Sequence, residues 1–477
     1  HFLNSVIYLS MHISIMNPLR IFLVAALILV VFGVGNAEAE AKEPEWSSDL
    51  GEGLIDSVAI SADGEYIAVG ADFDGVFFFN KGNSTPLWNY PINAHIDTIA
   101  VSADGEYIVA GTDGESRVYL FHKESNDPMW IYDPDEGIIV SVDISADGEY
   151  IVAGTLRGGS GAGVHLLNKD SSTPIWSYQE LEENSTNIVT PYEVLSVAIS
   201  ADGENIVASS IERNGNYWRC IRFFDKDSSI PLWNYTTSDA IGGQMPITIS
   251  ANGEYVALGT GWGDNRTFLF SKNNGTPLWS YIGGGEVDTI AISDDGEYIT
   301  VGSRSGVNLF RKDSEVPVWS YTTENIYFEI DISADGKYIA VGSDNIMYLF
   351  DKESSNPIWS YNTGTHIRSI AISDDGEYIV LGTYHDQKVH LFKTNFLPIA
   401  TIDSINPSPA KAGTTVFFNG IGLDIGGTVV TYRWNSSFDG VLSTEANFSS
   451  STLSLGLHTI TFQVQDDHGE WSNGTSK

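Results

Sequence analysis

The sequence predicts an all-β protein: an eight-bladed β-propeller closed by an N-terminal strand, followed by a smaller, incomplete β-sandwich. Two repeated blocks, Ser-Ala-Asp-Gly-Glu-Tyr and Pro-x-Trp-x-Tyr, recur in phase along most of the 477 residues. Their period of about 40 residues is typical of propeller blades. A change of pattern near residue 398 marks the start of the second module.

The first block carries a glycine at the same place in eight successive units, and the second carries a tryptophan. The glycines are Gly64, Gly105, Gly148, Gly203, Gly253, Gly296, Gly336 and Gly376. The tryptophans are Trp46, Trp88, Trp130, Trp176, Trp233, Trp279, Trp319 and Trp359, of which Trp46 stands alone before the first unit. Two anchors that keep the same order in every unit indicate one structural element copied along the chain.

Each unit is predicted to form four short strands. In the seventh, short runs begin at Phe328, Tyr338, Ile346 and Pro357 and are separated by Gly, Asp, Asn and Ser. Such β-branched and aromatic runs are strand signals, and the Asp-Gly between the first two indicates a tight hairpin. The runs are apolar on both faces, as expected for sheets covered on both sides. Four-stranded units repeated in this way predict a propeller.

The last unit has only three predicted strands and lacks a Pro-x-Trp block after Lys393. The isolated Trp46 lies at the other end of the chain. We therefore expect Glu45–Ser48 to supply the missing outer strand of the eighth blade, which would leave no wide open edge between the first and last blades.

The segment Phe224–Trp233, with its Asp, turn and Trp, resembles the docking motif of the PQQ-like β-propeller family, and the Ser-Ala-Asp-Gly-Glu-Tyr-Ile-Ala-Val-Gly half also resembles a WD40 repeat. The resemblance extends over about residues 44–393, within a predicted propeller domain of residues 44–397. It implies that each Trp docks on the neighbouring blade. It also raises a quinone-dependent dehydrogenase as an alternative function, although this chain has one cysteine, Cys220, where those enzymes often have an adjacent pair.

Residues 398–477 resemble a PKD domain, an immunoglobulin-like sandwich common in extracellular proteins. The matching pieces are Ala412–Phe418, Val430–Trp434 and Gly456–Gly469. Asn435-Ser-Ser-Phe-Asp-Gly replaces the Gly-Asp-Gly usual after the Trp, and the sequence stops before the last strand of such a domain. We expect an incomplete sandwich.

Residues 1–40 are predicted to be a secretory leader. Arg20 precedes an apolar run, Ile21–Gly35, and Asn36–Ala39 contains an Ala-x-Ala-like cleavage site. An uncleaved N-terminal anchor is the alternative. Export makes the eight Asn-x-Ser/Thr sequons candidate glycosylation sites. They are Asn83, Asn184, Asn234, Asn265, Asn274, Asn435, Asn447 and Asn473. The predicted location is secreted or cell-surface.

Charge and cysteine content exclude several functional classes. The chain has 24 basic and 62 acidic residues, a net charge of −38. This argues against nucleic acid and against an anionic membrane surface, because both need clustered Lys and Arg. One cysteine excludes an intramolecular disulfide and a cysteine-based zinc site. The partners that remain are an extracellular protein or glycan, with no membrane contact beyond the leader or a C-terminal anchor.

The candidate ligand site is the channel rim, where loops lead into the innermost strands. Aligning the units by spacing puts these residues just before that strand: Asp56, Asp97, Val140, Leu195, Met245, Asp288, Phe328 and Arg368. Two positions earlier are His95, Glu193, Glu286 and His366. From these we select Asp56, His95, Asp97, Glu286, Asp288, His366 and Arg368 as candidates for a small ligand or cation such as Ca²⁺. A solvated acidic rim without a ligand is the alternative, and no cofactor is expected.

Three other features have open interpretations. Asp143 and Asp331 replace an Ala of most inner strands, either as channel carboxylates or as groups bonded to backbone or water. The repeated Asp-Gly-Glu suggests calcium, as do Asp72-Phe-Asp-Gly and Asp133-Pro-Asp-Glu-Gly. No segment has the spacing of a dedicated calcium loop, and a hairpin turn explains the eight repeated copies better. Long loops at Gln179–Pro191 and Glu212–Tyr217 are either binding loops or tolerated insertions.

No nucleophile elbow or His-Glu-x-x-His pair occurs in the sequence, so we predict no catalytic residue. The predicted function is a non-enzymatic binding or scaffold protein that uses a propeller face to recognise a protein, glycan or small ligand. The alternatives are the quinone-dependent dehydrogenase and an accessory subunit that targets an extracellular enzyme.

Overall fold

The computed structural model describes residues 40–51, 53–134, 137–156, 163–179, 193–213, 217–237, 244–261, 263–322 and 328–477. The predicted leader up to residue 39, the sequon Asn184, most of the loop 179–191 and half of the loop 212–217 lie outside these residues. All regular structure in the described part is β-strand. Among the same residues, no helix has the length and apolar character needed to cross a bilayer.

The repeated units form antiparallel four-stranded sheets in which sequential strands are neighbours. Sheet 1 contains β3 (Ile55–Ile60), β4 (Tyr66–Ala71), β5 (Gly75–Asn80) and β6 (Trp88–Tyr90). Sheet 2 contains β7 (Thr98–Val101), β8 (Tyr107–Gly111), β9 (Val118–His122) and β10 (Trp130–Tyr132). Sheet 3 contains β11 (Ile138–Ile144), β12 (Tyr150–Leu156), β13 (Val164–Asn168) and β14 (Ser171–Tyr178). Sheet 4 contains β15 (Glu193–Ile199), β16 (Asn205–Arg213), β17 (Tyr217–Asp225) and β18 (Trp233–Thr237).

The pattern continues through the second half of the array. Sheet 5 contains β19 (Ile247–Ile249), β20 (Tyr255–Gly259), β21 (Arg266–Ser271) and β22 (Pro277–Ile282). Sheet 6 contains β23 (Val287–Ile292), β24 (Tyr298–Ser303), β25 (Gly306–Arg311) and β26 (Trp319–Tyr321). Sheet 7 contains β27 (Phe328–Ile332), β28 (Tyr338–Ser343), β29 (Ile346–Asp351) and β30 (Trp359–Asn362). Sheet 8 contains β31 (Ile367–Ile372), β32 (Tyr378–Thr383), β33 (Lys388–Lys393) and the N-terminal β2 (Trp46–Asp49). A two-residue strand, β1, is Glu40–Ala41.

Sheet 8 combines the two ends of the array. Trp46 lies opposite Leu391 in the register of β2 and β33. The Ser47 hydroxyl and His390 Nδ1 are 2.7 Å apart, so a side-chain hydrogen bond adds to the backbone ladder. The outer strand of the last sheet therefore comes from the start of the described chain.

The hairpin between the first two strands of each sheet explains the Asp-Gly-Glu-Tyr block. The Ser61 hydroxyl donates to Asp63 (2.8 Å) and accepts the N–H of Tyr66 (3.0 Å). Gly64 has φ +67°, and a Cβ there would lie 2.5 Å from the ring of Tyr378 in sheet 8. The Asp63 carboxylate therefore stabilises the turn. Glycine is required at position 64 because of its positive φ and because the ring of Tyr378 leaves no room for a side chain.

Backbone hydrogen bonds between adjacent hairpins close a ring, with N···O distances of 2.9 to 3.3 Å. The N–H groups of Ala62, Ala103, Ala146, Ala201, Asn252, Asp294, Ala334 and Asp375 donate, respectively, to the carbonyls of Ala103, Ala146, Ala201, Ala251, Asp294, Ala334, Asp374 and Ala62. Because the last donor returns to the first residue, the described sheets form a closed propeller rather than an open solenoid. We call this ring the belt.

The repeated tryptophans link each sheet to the next one. Trp46 Nε1 donates to the Lys81 carbonyl at 2.7 Å, and its ring stacks on Phe79 of sheet 1 at 5.6 Å. The indoles from Trp46 to Trp359 donate, in chain order, to the carbonyls of Lys81, Lys123, Lys169, Lys226, Lys272, Lys312, Lys352 and Thr394. A large apolar ring and a satisfied N–H make Trp well suited to such a junction.

The chain after the propeller forms two facing sheets. One contains β34 (Ile399–Asn406), β35 (Val416–Leu423) and β38 (Asn447–Ser450). The other contains β36 (Val429–Ser436), β37 (Gly440–Ser443), β39 (Ile460–Asp466) and β40 (Thr475–Ser476). Phe418, Trp434 and Phe462 are buried between them. Lys393 of β33 pairs with Glu470, so this C-terminal module contacts the propeller at sheet 8.

Candidate functional site: the channel rim

The rim lies at the channel end opposite the belt, where five inner strands each carry an extra residue. The register shifts at Asp56, Val140, Leu195, Asp288 and Arg368. An extra residue in one strand bends it and redirects the side chain, and such bulges are common beside functional sites. Three of these five residues are charged, and all three are candidates from the sequence.

Asp56 and Arg368 meet where the first and last sheets adjoin. Arg368 Nε donates to Asp56 Oδ1 at 2.9 Å. The Asp56 side chain is 8% exposed and that of Arg368 is 47% exposed. The Arg368 guanidinium therefore neutralises the mostly buried Asp56 carboxylate, and part of the Arg368 side chain still faces solvent.

Asp72 and His95 form a second pair beside the first. His95 Nδ1 lies 2.5 Å from Asp72 Oδ2, and the backbone N–H of Ile96 donates to Asp72 Oδ1. Burial, followed by the neighbouring Asp56, raises the pKa of Asp72 to about 6. The hydrogen bond to Asp72 raises the pKa of His95. Asp56, Asp72 and His95 offer donor atoms within 4.8 Å of one another, a set that could hold a metal ion.

An exposed aromatic side chain completes this part of the rim. Phe73 is 55% exposed and packs edge-to-face against His95, with ring centroids 4.6 Å apart. Its φ of +61° is unusual for a bulky residue, because the left-handed region brings Cβ close to the backbone. The hairpin thus holds an apolar ring in solvent next to two charged pairs.

Asp97 and Glu329 extend the acidic surface around Arg368. Burial, then Asp113, raises the pKa of Asp97, while His95 and Arg368 oppose the rise. Burial raises the pKa of Glu329 to about 8, and the charge of Arg368 lowers it in part. Both carboxyl groups lie within electrostatic range of Arg368, so its single positive charge is shared.

Glu286 and Asp288 form a separate group on sheet 6. Arg304 Nη2 contacts Glu286 Oε2 at 2.8 Å, and the Glu286 side chain is 6% exposed. Burial, followed by Glu286, raises the pKa of Asp288 to about 6. The charge of Asp288 also raises the pKa of Glu329, which lies on the adjacent sheet 7.

His366 contacts an acidic residue of the neighbouring sheet 7. Its Nδ1 lies 3.4 Å from Asp344 Oδ1 of sheet 7. Phe328, which spacing aligned with the bulged residues, is instead buried. β27 has no register shift, so Phe328 takes the core position that Ile55 and Ile367 occupy in their strands.

The two aspartates of the inner strands bond to backbone. Asp143 accepts the N–H of Ile144 and of Ile199 in the next sheet, both at 2.9 Å. Asp331 accepts those of Ile332 and Ile372, also at 2.9 Å. Each carboxylate therefore links two neighbouring inner strands. Of the two sequence interpretations, hydrogen bonding to local backbone is the one observed.

Sequence reasoning singled out Asp72 only as part of a possible calcium segment, and it missed Phe73, Arg304 and Glu329 as rim residues. A signal for Glu329 existed within the chain, because the equivalent positions carry hydroxyls such as Ser57 and Ser369. The Ser369 hydroxyl accepts the N–H of Val58 at 3.1 Å. Glu329 puts a carboxyl group at the position where the equivalent strands have this hydroxyl.

The rim does not fit the tricarboxylate quinone of quinoprotein dehydrogenases. Arg368 and Arg304 already pair with Asp56 and Glu286. Most of the other ionisable side chains described at the rim are acidic, namely Asp72, Asp97, Asp288 and Glu329, and their negative charge would repel an anionic ligand. The single cysteine, Cys220, is buried in sheet 4.

Comparison with known proteins identifies the repeat. The family model PQQ_2, described as "Outer membrane protein assembly factor BamB", matches residues 37–281, more than half of the chain. The chain belongs to the PQQ_2 family. No curated protein sequence matches it significantly.

Among solved structures, the C-terminal WD40 domain of Sif2 matches with a TM-score of 0.57 and 17% identity, covering 75% of this chain and 99% of that one. At this identity the likeness shows the propeller fold alone. The PQQ-like and WD40-like resemblances of the repeat are thereby confirmed as family and fold. Neither comparison extends to a PKD-like domain.

Proposed function

We propose that this protein is a secreted or cell-surface, non-enzymatic scaffold that binds a partner protein at its propeller rim. In this proposal the eight sheets are the blades of an eight-bladed propeller, and residues 398–477 are a PKD-like module serving as a spacer or second binding unit. We define the rim patch as Asp56, Phe73, His95, Asp97 and Arg368.

The rim patch is the observation that carries the proposal. The exposed aromatic ring of Phe73 packs against His95. His95 lies in one cluster with Asp56, which hydrogen-bonds to the half-exposed Arg368 and holds its guanidinium in place. Aromatic residues and arginine dominate the binding energy of protein interfaces, because they combine large contact area with directional hydrogen bonds. The preformed Asp56–Arg368 pair lowers the entropic cost of presenting that arginine to a partner.

The family description supports a role in binding rather than in catalysis. The matching model is named for an assembly factor of outer membrane proteins. The predicted leader and the acidic composition support export and argue against nucleic acid as the partner. Glycosylation stays a prediction; of the described sequons, Asn83, Asn234, Asn274, Asn447 and Asn473 are exposed, and Asn265 and Asn435 are half-buried.

Site-specific photo-crosslinking tests the proposal. A crosslinking amino acid at Phe73 should capture a discrete partner from the extracytoplasmic fraction of the source organism. A matched crosslinker at Ile230, equally apolar and 74% exposed on the outside of sheet 4, should not. The substitution Arg368→Glu should weaken the purified complex at least ~10-fold, as expected for an interface hot spot. Equal capture at both positions would count against the rim patch.

Two further assays address the alternatives. Incubation with the quinone and Ca²⁺, followed by dye-linked alcohol oxidation, should give no turnover; turnover would overturn the non-enzymatic assignment. A glycan array should show no binding that depends on Phe73. Glycan binding lost in Phe73→Ser would replace the protein partner with a carbohydrate.

A further inference from the structure

Lys42 is a buried lysine where the propeller meets the C-terminal module. Only 9% of it is exposed, and its backbone N–H donates to the Ser360 carbonyl of sheet 7. Its side chain reaches the segment after β33, where Nζ donates to the Asn395 carbonyl at 2.6 Å and lies 4.5 Å from the centroid of the Phe396 ring. Lysine is rarely buried to this extent without a paired carboxylate, and within the described part of the chain no carboxylate hydrogen-bonds to this amine.

These surroundings favour the neutral form of the amine. Burial lowers the pKa of Lys42, and the charge of Lys393 acts in the same direction, whereas Glu45 and Glu470 oppose the shift. Among the described lysines with a shifted pKa, Lys42 is the only one whose pKa is lowered. A neutral amine is a nucleophile and an ammonium is not, so burial activates this lysine.

The side-chain amide of Asn395 lies in the same cluster. Its Nδ2 donates to Asp466 Oδ2 at 2.8 Å and lies 3.4 Å from Glu470 Oε2. Asp466 is fully buried and also accepts the backbone N–H groups of His468 and Glu470, so it holds the amide against a fixed acceptor. Because Lys42 Nζ already contacts the carbonyl of the same asparagine, rotation about side-chain bonds brings it to the Asn395 Cγ atom.

We propose that Lys42 and Asn395 form an intramolecular isopeptide bond in the folded protein. The neutral Nζ attacks Cγ of Asn395, an amide bond forms between these atoms, and Nδ2 leaves as ammonia. Glu470 accepts a proton from the attacking amine and passes it to the departing Nδ2, so the carboxylate is regenerated. The reaction needs no oxidant, reductant or other co-reactant. The bond is independent of the function proposed for the rim patch.

The same three chemical groups occur on sheet 3 without the burial of the amine. Asn168 Nδ2 donates to Glu149 Oε1 at 3.1 Å, and Lys169 pairs with the same carboxylate. The hydrogen bond to Glu149 raises the pKa of Lys169, so this amine stays protonated and is not a nucleophile. Lys169 therefore remains unmodified, and the comparison isolates burial as the condition for reaction.

The bond fixes the closure of the ring. Lys42 and Asn395 are 353 positions apart in the sequence. Lys42 precedes β2, the outer strand of sheet 8, and Asn395 precedes β34 of the C-terminal module. A covalent crosslink stabilises a protein mainly by restricting its unfolded chain, and the effect grows with the length of the closed loop.

Mass spectrometry of the purified full chain tests the bond. We expect an intact mass lower by one ammonia than the mass of the mature sequence, whose first residue is read by N-terminal sequencing. Trypsin does not cut after an acylated lysine. Digestion should therefore release a branched peptide in which residues 394–411 are joined at Asn395 to the peptide that runs through Lys42 and ends at Lys81. Fragmentation should place the branch at these two side chains.

Protein variants identify the reacting groups. Lys42→Arg keeps the positive charge and should abolish the branched peptide, restore the ammonia and lower the melting temperature. Asn395→Ala should have the same effect on the mass. Glu470→Gln is close in shape but cannot relay a proton, and it should lower the crosslinked fraction measured shortly after synthesis by at least ~10-fold. Lys169→Arg is the matched control and should keep both the ammonia loss and the branched peptide.

Three outcomes would overturn the proposal. An intact mass equal to that of the unmodified mature sequence would show that the bond does not form. An ammonia loss that persists in Lys42→Arg would assign it to another reaction, such as succinimide formation at Asn274-Gly275. A branched peptide at Lys169 would show that burial of the amine is not the condition. Phe73→Ser should keep the bond, which separates this test from that of the rim patch.

Discussion

Replacing Asp331 by Ala should flatten the dependence of propeller stability on pH. The substitution restores the residue found at equivalent positions of other inner strands, such as Ala59 and Ala371, so the site tolerates Ala sterically. Burial raises the pKa of Asp331 from 3.8 to about 7, although two backbone N–H groups favour the charged form. The folded protein therefore holds a proton that the unfolded chain releases between these two pH values.

The sign and size of this pH effect follow from the linkage between proton binding and folding. A carboxyl group whose pKa is raised on folding stabilises the protein fully below its unfolded pKa, and that contribution is lost as pH rises through its folded pKa. A rise of about three pKa units corresponds to an upper limit of ~4 kcal/mol. Because Asp331 is only half-buried by solvent exposure, solvent screening reduces the expected contribution to ~1–2 kcal/mol.

Urea unfolding at pH 5 and pH 8 measures the effect. The difference in unfolding free energy between the two pH values should shrink by ~1–2 kcal/mol in Asp331→Ala relative to the parent chain. Asp143→Ala should act in the same direction with a smaller effect, because burial raises that pKa only to about 6. Asp227→Ala, at an exposed carboxylate in a turn, should leave the profile unchanged. An identical pH dependence in Asp331→Ala and the parent would refute the reasoning.

Three further predictions concern sheet 8 and its contact with sheet 7. Trp359→Phe, which removes the indole N–H bonded to Thr394 but keeps a buried ring, should cost ~1–3 kcal/mol in urea unfolding; no loss would deny the bond a role. Deleting residues 44–50 should lower the melting temperature markedly, because sheet 8 loses its outer strand; an unchanged melting curve would contradict that closure. Burial lowers the pKa of His390 to about 4, so its contribution to stability should be lost as pH falls from 6.5 towards 4, and His390→Gln should reduce that loss in acid melting curves.

The fold could be predicted from the sequence because the same contacts recur in every repeated unit. The Ser-Asp-Gly-Tyr turn and the Trp of each unit form contacts that recur in every sheet, so repetition itself revealed them. The rim was only partly predictable. Spacing located Asp56 and Arg368 but not their contact, because they are 312 residues apart and meet only when the ring closes.

Residues outside the repeat pattern were harder to assign. Phe328 was misplaced because its strand lacks the extra residue present in five others, and spacing alone cannot distinguish a bulge from a regular strand. Phe73 gave no signal because an exposed Phe in a left-handed turn contradicts the usual preference for Gly or Asn there. Such departures from local preference are where function is expected.

The pairing of β2 with β33 has a consequence for how the molecule folds. Ser47 and His390 are separated by 343 positions along the chain, yet they are hydrogen-bonded partners. Joining ends so far apart costs about 5 kcal/mol of loop entropy, and contacts of high sequence separation form slowly. β2 must therefore wait until β33 has been made, and until the two strands pair, β33 keeps an open edge on which aggregation or chaperone capture would begin.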